Sequence, residues 1–236
     1  MSTRLRLFPL NAVLFPGAIL NLHVFEPRYK QLLADCMESG EGFGVVLIRE
    51  GHEAGDTLVQ PHDIGTVAKI GDVTQLPFGR YYVSTVGTDR FRIREILSRE
   101  PYLTVEVEFI PQDDPRELEL EDLARQVRSA FDEYLRLVVE FSGQVPIVEV
   151  PDNAEGTSFL IGDALQVADT MKQRLLELSS TRQRLTVELG FLRRLLPQLR
   201  RLLERRQEQL EAAQPAQEDP FRDTQARYYG KYFSLN

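Results

Sequence analysis

The chain has one cysteine, three histidines and no tryptophan in 236 residues. A single thiol, Cys36, excludes an internal disulfide and fits a reducing compartment. So few imidazoles and thiols leave little for a metal to bind. His52 and His62, with Glu53, Asp56 and Asp63 nearby, match no helix-face or finger spacing and read as a polar surface loop. No apolar run reaches the ~18 residues of a membrane span, and the start MSTRLRLFPL lacks the apolar core of a signal peptide. The expectation is a cytoplasmic protein with no membrane partner. Also missing are G-x-x-x-x-G-K-[ST], a strand-linked G-x-G-x-x-G and G-x-S-x-G, the marks of a phosphate loop, a dinucleotide fold and a nucleophile elbow. The glycines of GEGFG, Gly40 to Gly44, serve helix termination and strand entry, and Ser84, Ser142 and Ser158 have no recognisable base beside them. No catalytic residue, cofactor or metal is expected, and the chain does not read as an enzyme.

What is present is an ordinary core-forming composition, 42% hydrophobic and 27% charged, whose pattern changes character near residue 111. Before that point RLRLFPL and YLTVEVEFI alternate, and FGVVLIRE is an apolar run of buried-strand type. DIGTVAKIGDVTQL, RYYVSTVGTD and RFRIREIL are set apart by turn chemistry at Pro77-Phe78-Gly79 and Gly87-Thr88-Asp89. The stretch FPGAILNLHVFEPRY, Phe15 to Tyr29, packs a turn at Pro16-Gly17, a strand from Ala18 to Val24, and a helix start at Pro27 into fifteen residues. That helix, Pro27 to Ser39, carries Tyr29, Leu32, Leu33, Cys36 and Met37 on one face.

After PQDDP the period becomes 3.6. Asp114 is placed to cap and Pro115 to open a helix in which Leu120, Leu123, Val127, Phe131, Tyr134, Val138 and Phe141 recur at three- and four-residue steps. FSGQVPIVEVPDNAEG breaks it, and Thr157 to Leu178 reads as two helical pieces divided near Met171. Ser180 and Gln183 resemble a capping box opening a last helix, whose Leu185, Leu189, Leu192, Leu196, Leu199, Leu203 and Leu210 keep a four-three spacing that Arg206 interrupts. Pro197 is expected to kink or restart it. The expected fold is therefore α+β, in three parts: a mostly antiparallel β-domain over 1–112, a helical lobe with a long C-terminal helix over 113–211, and a linker with an aromatic tail over 212–236. The tail's Phe221, Tyr228, Tyr229, Tyr232 and Phe233 are expected to dock on their own protein; the alternative is that they occupy a client groove in cis.

The net charge of -8 opposes nucleic acid and anionic membranes as partners, yet residues 182–206 hold eight arginines against Glu188 and Glu204. Arg193, Arg194, Arg200 and Arg201 are the candidate contacts for an anionic partner such as nucleic acid. The competing and favoured reading is a solvated helix face balanced by the acidic start RELELEDL, Arg116 to Leu123, because leucines interleave at core spacing.

The segments LRLFPLNAVLFPGAILNLHVFEPRYKQLL, FGVVLI, IGTVAKI, GTDRFRI and PYLTVEVE closely resemble, in order and distance, the amino-terminal substrate-recognition domain of the Lon ATP-dependent protease family. The resemblance runs from about Leu5 to Ile110 and continues more weakly through MKQRLLEL. It implies a PUA-like barrel with the Glu-Pro-Arg-Tyr corner leading into the first helix. The phosphate loop is missing and the chain ends at Asn236, so proteolysis and ATP hydrolysis are not carried over. The implied class is the stand-alone Lon amino-terminal domain, whose partners would be proteins or unfolded polypeptides, as an adaptor or regulator in protein quality control. Nucleic acid through the barrel and the arginine-rich helix is the alternative. Phe15, Phe25, Glu26, Arg28, Phe78 and Tyr81 are the candidate partner-binding residues.

Overall fold

The computed structural model describes residues 3–53, 55, 58–111, 117–143 and 149–213. The proposed cap at Asp114 and Pro115, and the tail from residue 214 onward, lie outside the described residues. Period-two patterning in the first half yields β1 (Thr3–Leu10), β2 (Ile19–Val24), β3 (Phe43–Glu50), the short β4 (Gln60–Pro61), β5 (Ile64–Leu76), β6 (Arg80–Ser98) and β7 (Thr104–Phe109). Along the sheet the order is β1-β7-β6-β5-β3-β4, and β1 also pairs with β3. That last pairing, the one parallel ladder among the described residues, closes β1, β7, β6, β5 and β3 into a ring. Register shifts in β5 between Thr66 and Ala68 and between Ile70 and Val73 supply the bends that closure needs.

Phe91 fills the ring with Leu5, Leu7, Val46, Val105 and Val107. Room for it comes from two glycines: a β-carbon on Gly44 would stand 2.6 Å from Phe91 Cζ, and one on Gly65 would meet Val45 O at 2.3 Å. A second cluster lies beneath α1 (Pro27–Ser39), where Tyr29 stacks on Phe8 at 3.8 Å and Leu32, Leu33 and Cys36 turn inward. Pro27 stands in the first turn of α1 and Gly40 ends it in the left-handed region, at φ 71°.

β6 is long enough to serve two neighbours on the same side. Its second half pairs with β7, and its first half pairs with β2, which lies off the ring.

The helices are α2 (Glu117–Ser142), α3 (Ala154–Ala164), α4 (Asp169–Glu177) and α5 (Thr181–Ala213). The break between α3 and α4 falls at Leu165–Ala168 rather than near Met171, and α3 begins earlier than Thr157 because Asn153 caps it, accepting the Gly156 N–H at 2.6 Å. α5 runs through Pro197 without restarting. Pro197 is exposed, so the Arg193 carbonyl deprived of its helical donor faces water, where the loss is small.

Side-chain hydrogen bonds join Arg193 to Gln126, Arg200 to Glu133 and Gln207 to Glu140, each 67 residues apart. A constant offset means that α2 and α5 run parallel, and the seven-residue repeat of these pairs flanks a leucine seam in coiled-coil fashion. Leu185, Leu189, Leu192, Leu196 and Leu203 are buried along it, against Leu120, Ala124, Val127, Phe131 and Tyr134, while Leu210 stays exposed.

Sheet and helices meet through Phe15, in the loop between β1 and β2. With Ile64 it packs on Phe159, Leu175 and Leu176, and Gln173 donates to the Ile64 carbonyl at 3.0 Å. Arg90 of β6 reaches across to the carbonyls of Leu176 (2.8 Å) and Leu178 (2.6 Å), where a cation suits the end of α4.

Candidate functional site

Alternation along β2 sends Leu20, Leu22 and Val24 toward the sheet side and Ile19, Asn21 and His23 to the surface. In the register with β6, Ile19 faces Val86, Asn21 faces Ser84 and His23 faces Tyr82. Ile19 is 70% exposed, and Tyr82 and Val86 join it as large exposed apolar side chains. Phe25 extends the row, its ring 5.8 Å from that of His23. The row ends near the tip of the β5–β6 hairpin, where Phe78 occupies the left-handed region at φ 62° and is 91% exposed, with the Arg80 guanidinium 5.7 Å from its ring. A phenylalanine held in that conformation, outside any packing, is costly on two counts.

The edge of β2 away from β6 carries no strand among the described residues. Gly87 donates to the Ala18 carbonyl, so the even-numbered positions face β6 and the amides and carbonyls of Ile19, Asn21 and His23 point outward. One strip thus presents exposed side chains beside an unpaired backbone edge.

The sequence-derived candidates divide. Phe25 and Phe78 lie in the strip, and Tyr81, half-buried, stands beside it opposite Val24. Glu26 and Arg28 are mostly committed to one another at 2.9 Å, and Arg28 also donates to the Glu53 carbonyl and covers the Tyr29 ring at 4.5 Å. Glu26 holds the cap position of α1 without a side-chain capping bond. Phe15 is wholly buried at the junction of sheet and helices and offers nothing to a partner. Ile19, His23, Tyr82 and Val86 are not among those candidates; the alternation in ILNLHV and YYVSTV holds the signal for their exposure, and only the β2–β6 register joins the two halves.

The arginines of α5 do not form one basic face. Arg184 is fully buried, donating to Ser158 Oγ (2.9 Å), Thr181 Oγ1 (2.9 Å) and the Leu178 carbonyl (2.7 Å), with Phe159 4.2 Å below its guanidinium. Arg193 and Arg200 are bound to Gln126 and Glu133, and Arg206 donates to the Phe141 carbonyl. The balancing partners therefore lie along α2, beyond its acidic start, where Glu121 and Asp122 pair with Arg125. Arg194 donates to the Gly190 carbonyl and covers Phe191 at 5.0 Å, and Arg201 faces solvent. His62 lies 3.6 Å from Glu177.

A closed small barrel with an added edge strand and a trailing helical lobe defines the fold class. The model of the ATP-dependent protease La (LON) substrate-binding domain matches residues 4–194, and the chain belongs to that family. The fold is similar to that of a Lon N-terminal domain protein from Xanthomonas campestris, at TM-score 0.59 and 30% identity over 80% of this chain and 98% of that one. The N-terminal domain of the Mycobacterium avium complex Lon protease superposes with the same TM-score at 18% identity, a likeness of fold alone. Lon protease 2 of Sorangium cellulosum is 33% identical over 129 residues, 54% of this chain and 16% of that protein. The Flavobacterium johnsoniae Lon protease is 28% identical over 81% of this chain and 24% of its own length. The chain thus spans about a sixth to a quarter of these two relatives.

Proposed function

We propose that this chain is a non-catalytic polypeptide-recognition module that holds extended, apolar segments of other proteins, as an adaptor or regulator in protein quality control. The observation that carries the reading is the β2 strip: exposed apolar side chains next to unpaired amides and carbonyls, a combination that a second extended backbone satisfies by adding a strand. Membership of a family described by substrate binding supports it. The β-domain (1–112) supplies the strip, and the helical lobe (113–211) braces the loop from which β2 starts. Nucleic acid is the weaker reading, because Arg184, Arg193, Arg200 and Arg206 are engaged within the protein.

The test is equilibrium binding of a permanently unfolded, carboxymethylated polypeptide to the full chain and to a double variant, Ile19→Asp with Tyr82→Asp. Both positions are exposed, so the variant is expected to melt with the wild type while affinity falls about tenfold or more. Retention of wild-type affinity by the folded variant removes the strip from the site. Binding of single-stranded nucleic acid that weakens steeply with salt would favour the other reading.

A further inference from the structure

Glu188 of α5 is a carboxyl group sealed into the contact between barrel and helices with nothing bonded to it. Its side chain is fully buried, and neither oxygen has a hydrogen-bond partner. Oε1 lies 3.6 Å from where a β-carbon on Gly162 would stand, in the same notch that receives the Phe15 ring.

Arg184, one turn earlier on α5, is the cation that acts on it, yet its donors are taken by Ser158, Thr181 and the Leu178 carbonyl, and its other acid is Glu155 at 3.8 Å. The remaining charged groups around the junction are similarly turned elsewhere. On α3, Asp163 is itself held above the usual carboxylate range by burial. Lys172 of α4 donates to the Asp163 carbonyl, Arg90 of β6 to the end of α4, and Arg128 of α2 to Thr157 and the carbonyls of Pro151 and Asp152. The loop that carries Phe15, Val13 to Ala18, brings no titratable side chain.

An ionised carboxylate here is stripped of water with no donor in exchange. Burial outweighs the attraction of Arg184, and the acid keeps its proton well above the ordinary carboxylate range.

We propose that Glu188 is a proton-sensitive latch: neutral, it lets α3 and α5 close over Phe15, and ionised, it loosens that contact and frees the loop that anchors the start of β2. The loop is short and held at both sides, Leu14 by Thr66 Oγ1 at 2.6 Å and Gly17 by the Gly87 carbonyl at 2.8 Å, so release of Phe15 is felt at Ile19. Because the folded-state pKa lies above the unfolded one, the stabilisation from the neutral acid is complete below the ordinary carboxylate range. It is lost as pH climbs through the raised pKa.

The experiment is amide hydrogen exchange of the full chain from pH 4 to 9, comparing wild type with E188Q and E188M at each pH so that intrinsic exchange cancels. The expected result is equal protection of the Gly17 and Ala18 amides at the acid end. Above it, the wild type exchanges faster by up to about tenfold for each pH unit between the two pKa values. Profiles that stay parallel across the range overturn the latch. So does failure of both variants to fold, since removal of the charge is expected to tighten the junction.

Discussion

Phe15 seats against Gly162 with no space for a side chain between them: a β-carbon on Gly162 would stand 2.9 Å from Cε1 and 3.0 Å from Cζ of the ring. The Phe15 carbonyl in turn lies 2.2 Å from where a β-carbon on Gly87 would be. The aromatic ring and two glycines thus fix how closely the helices approach the barrel. Gly162→Val is expected to cost about 1–3 kcal/mol, as overpacking does in a filled core. Urea unfolding measures it; a midpoint equal to wild type would refute the close fit.

Arg90 makes the complementary polar contact. Its replacement by Met keeps the stem and leaves the Leu176 and Leu178 carbonyls short of a charged donor. Arg184 still reaches Leu178, so the loss falls mainly on Leu176 and is expected to be about 1.5–3 kcal/mol. A larger effect in R90M than in a double variant with Arg184→Met would contradict that division.

Leu192 has no solvent exposure and stands in the middle of the α2–α5 seam. Leu192→Asp places a carboxylate among leucines, and a loss of more than about 4 kcal/mol is expected, with the lobe unfolded at room temperature. Leu210, on the same stripe but exposed, supplies the control: Leu210→Asp is expected to stay within about 0.5 kcal/mol. Circular dichroism at 222 nm on heating separates the two.

The strands, α1 and the leucine seam were legible because each repeats a period: Leu5 and Leu7, or Leu185 through Leu203, declare which side is inward before any partner is known. Closure of the ring was not, since the parallel pairing of β1 with β3 is a long-range choice permitted by Gly44 and Gly65, whose role is to be absent beside Phe91. The place of Arg184 was not legible for a related reason. Composition counts Arg184 with its neighbours on α5, but one helical position decides whether an arginine faces Ser158 or water. The strip was half visible, at Phe25 and Phe78; its centre joins residues 19–23 to 82–86, about sixty positions on, and only pairing brings them together. The burial of Phe15, a candidate partner contact, was not legible, because the helices that cover it come over 140 residues later.

The Glu26–Arg28 pair is a structural corner before it is a surface. Arg28→Ala removes the 2.9 Å ion pair, the bond to the Glu53 carbonyl and the cover over Tyr29, for an expected loss of about 1–2 kcal/mol. Affinity for the unfolded probe is expected to hold. Loss of binding at full stability would move the recognition site to this corner.

Buried thiol and phenol groups contribute to the alkaline limit. Burial pushes the Cys36 thiol up from 9.0 to about 11 and the Tyr29 phenol from 10.0 to about 12. Both folded values exceed the unfolded ones, so the stability they represent is complete below pH 9 and is lost as pH rises from 9 toward 12. Cys36 is also nearly without exposure, its Sγ 3.7 Å from the Gly42 carbonyl. At pH 8 its reaction with a disulfide reagent is expected to follow the rate of global unfolding, and urea midpoints are expected to fall steadily above pH 9. The sulfur's modification at the speed of a free thiol in native buffer would show that α1 does not close over it as described.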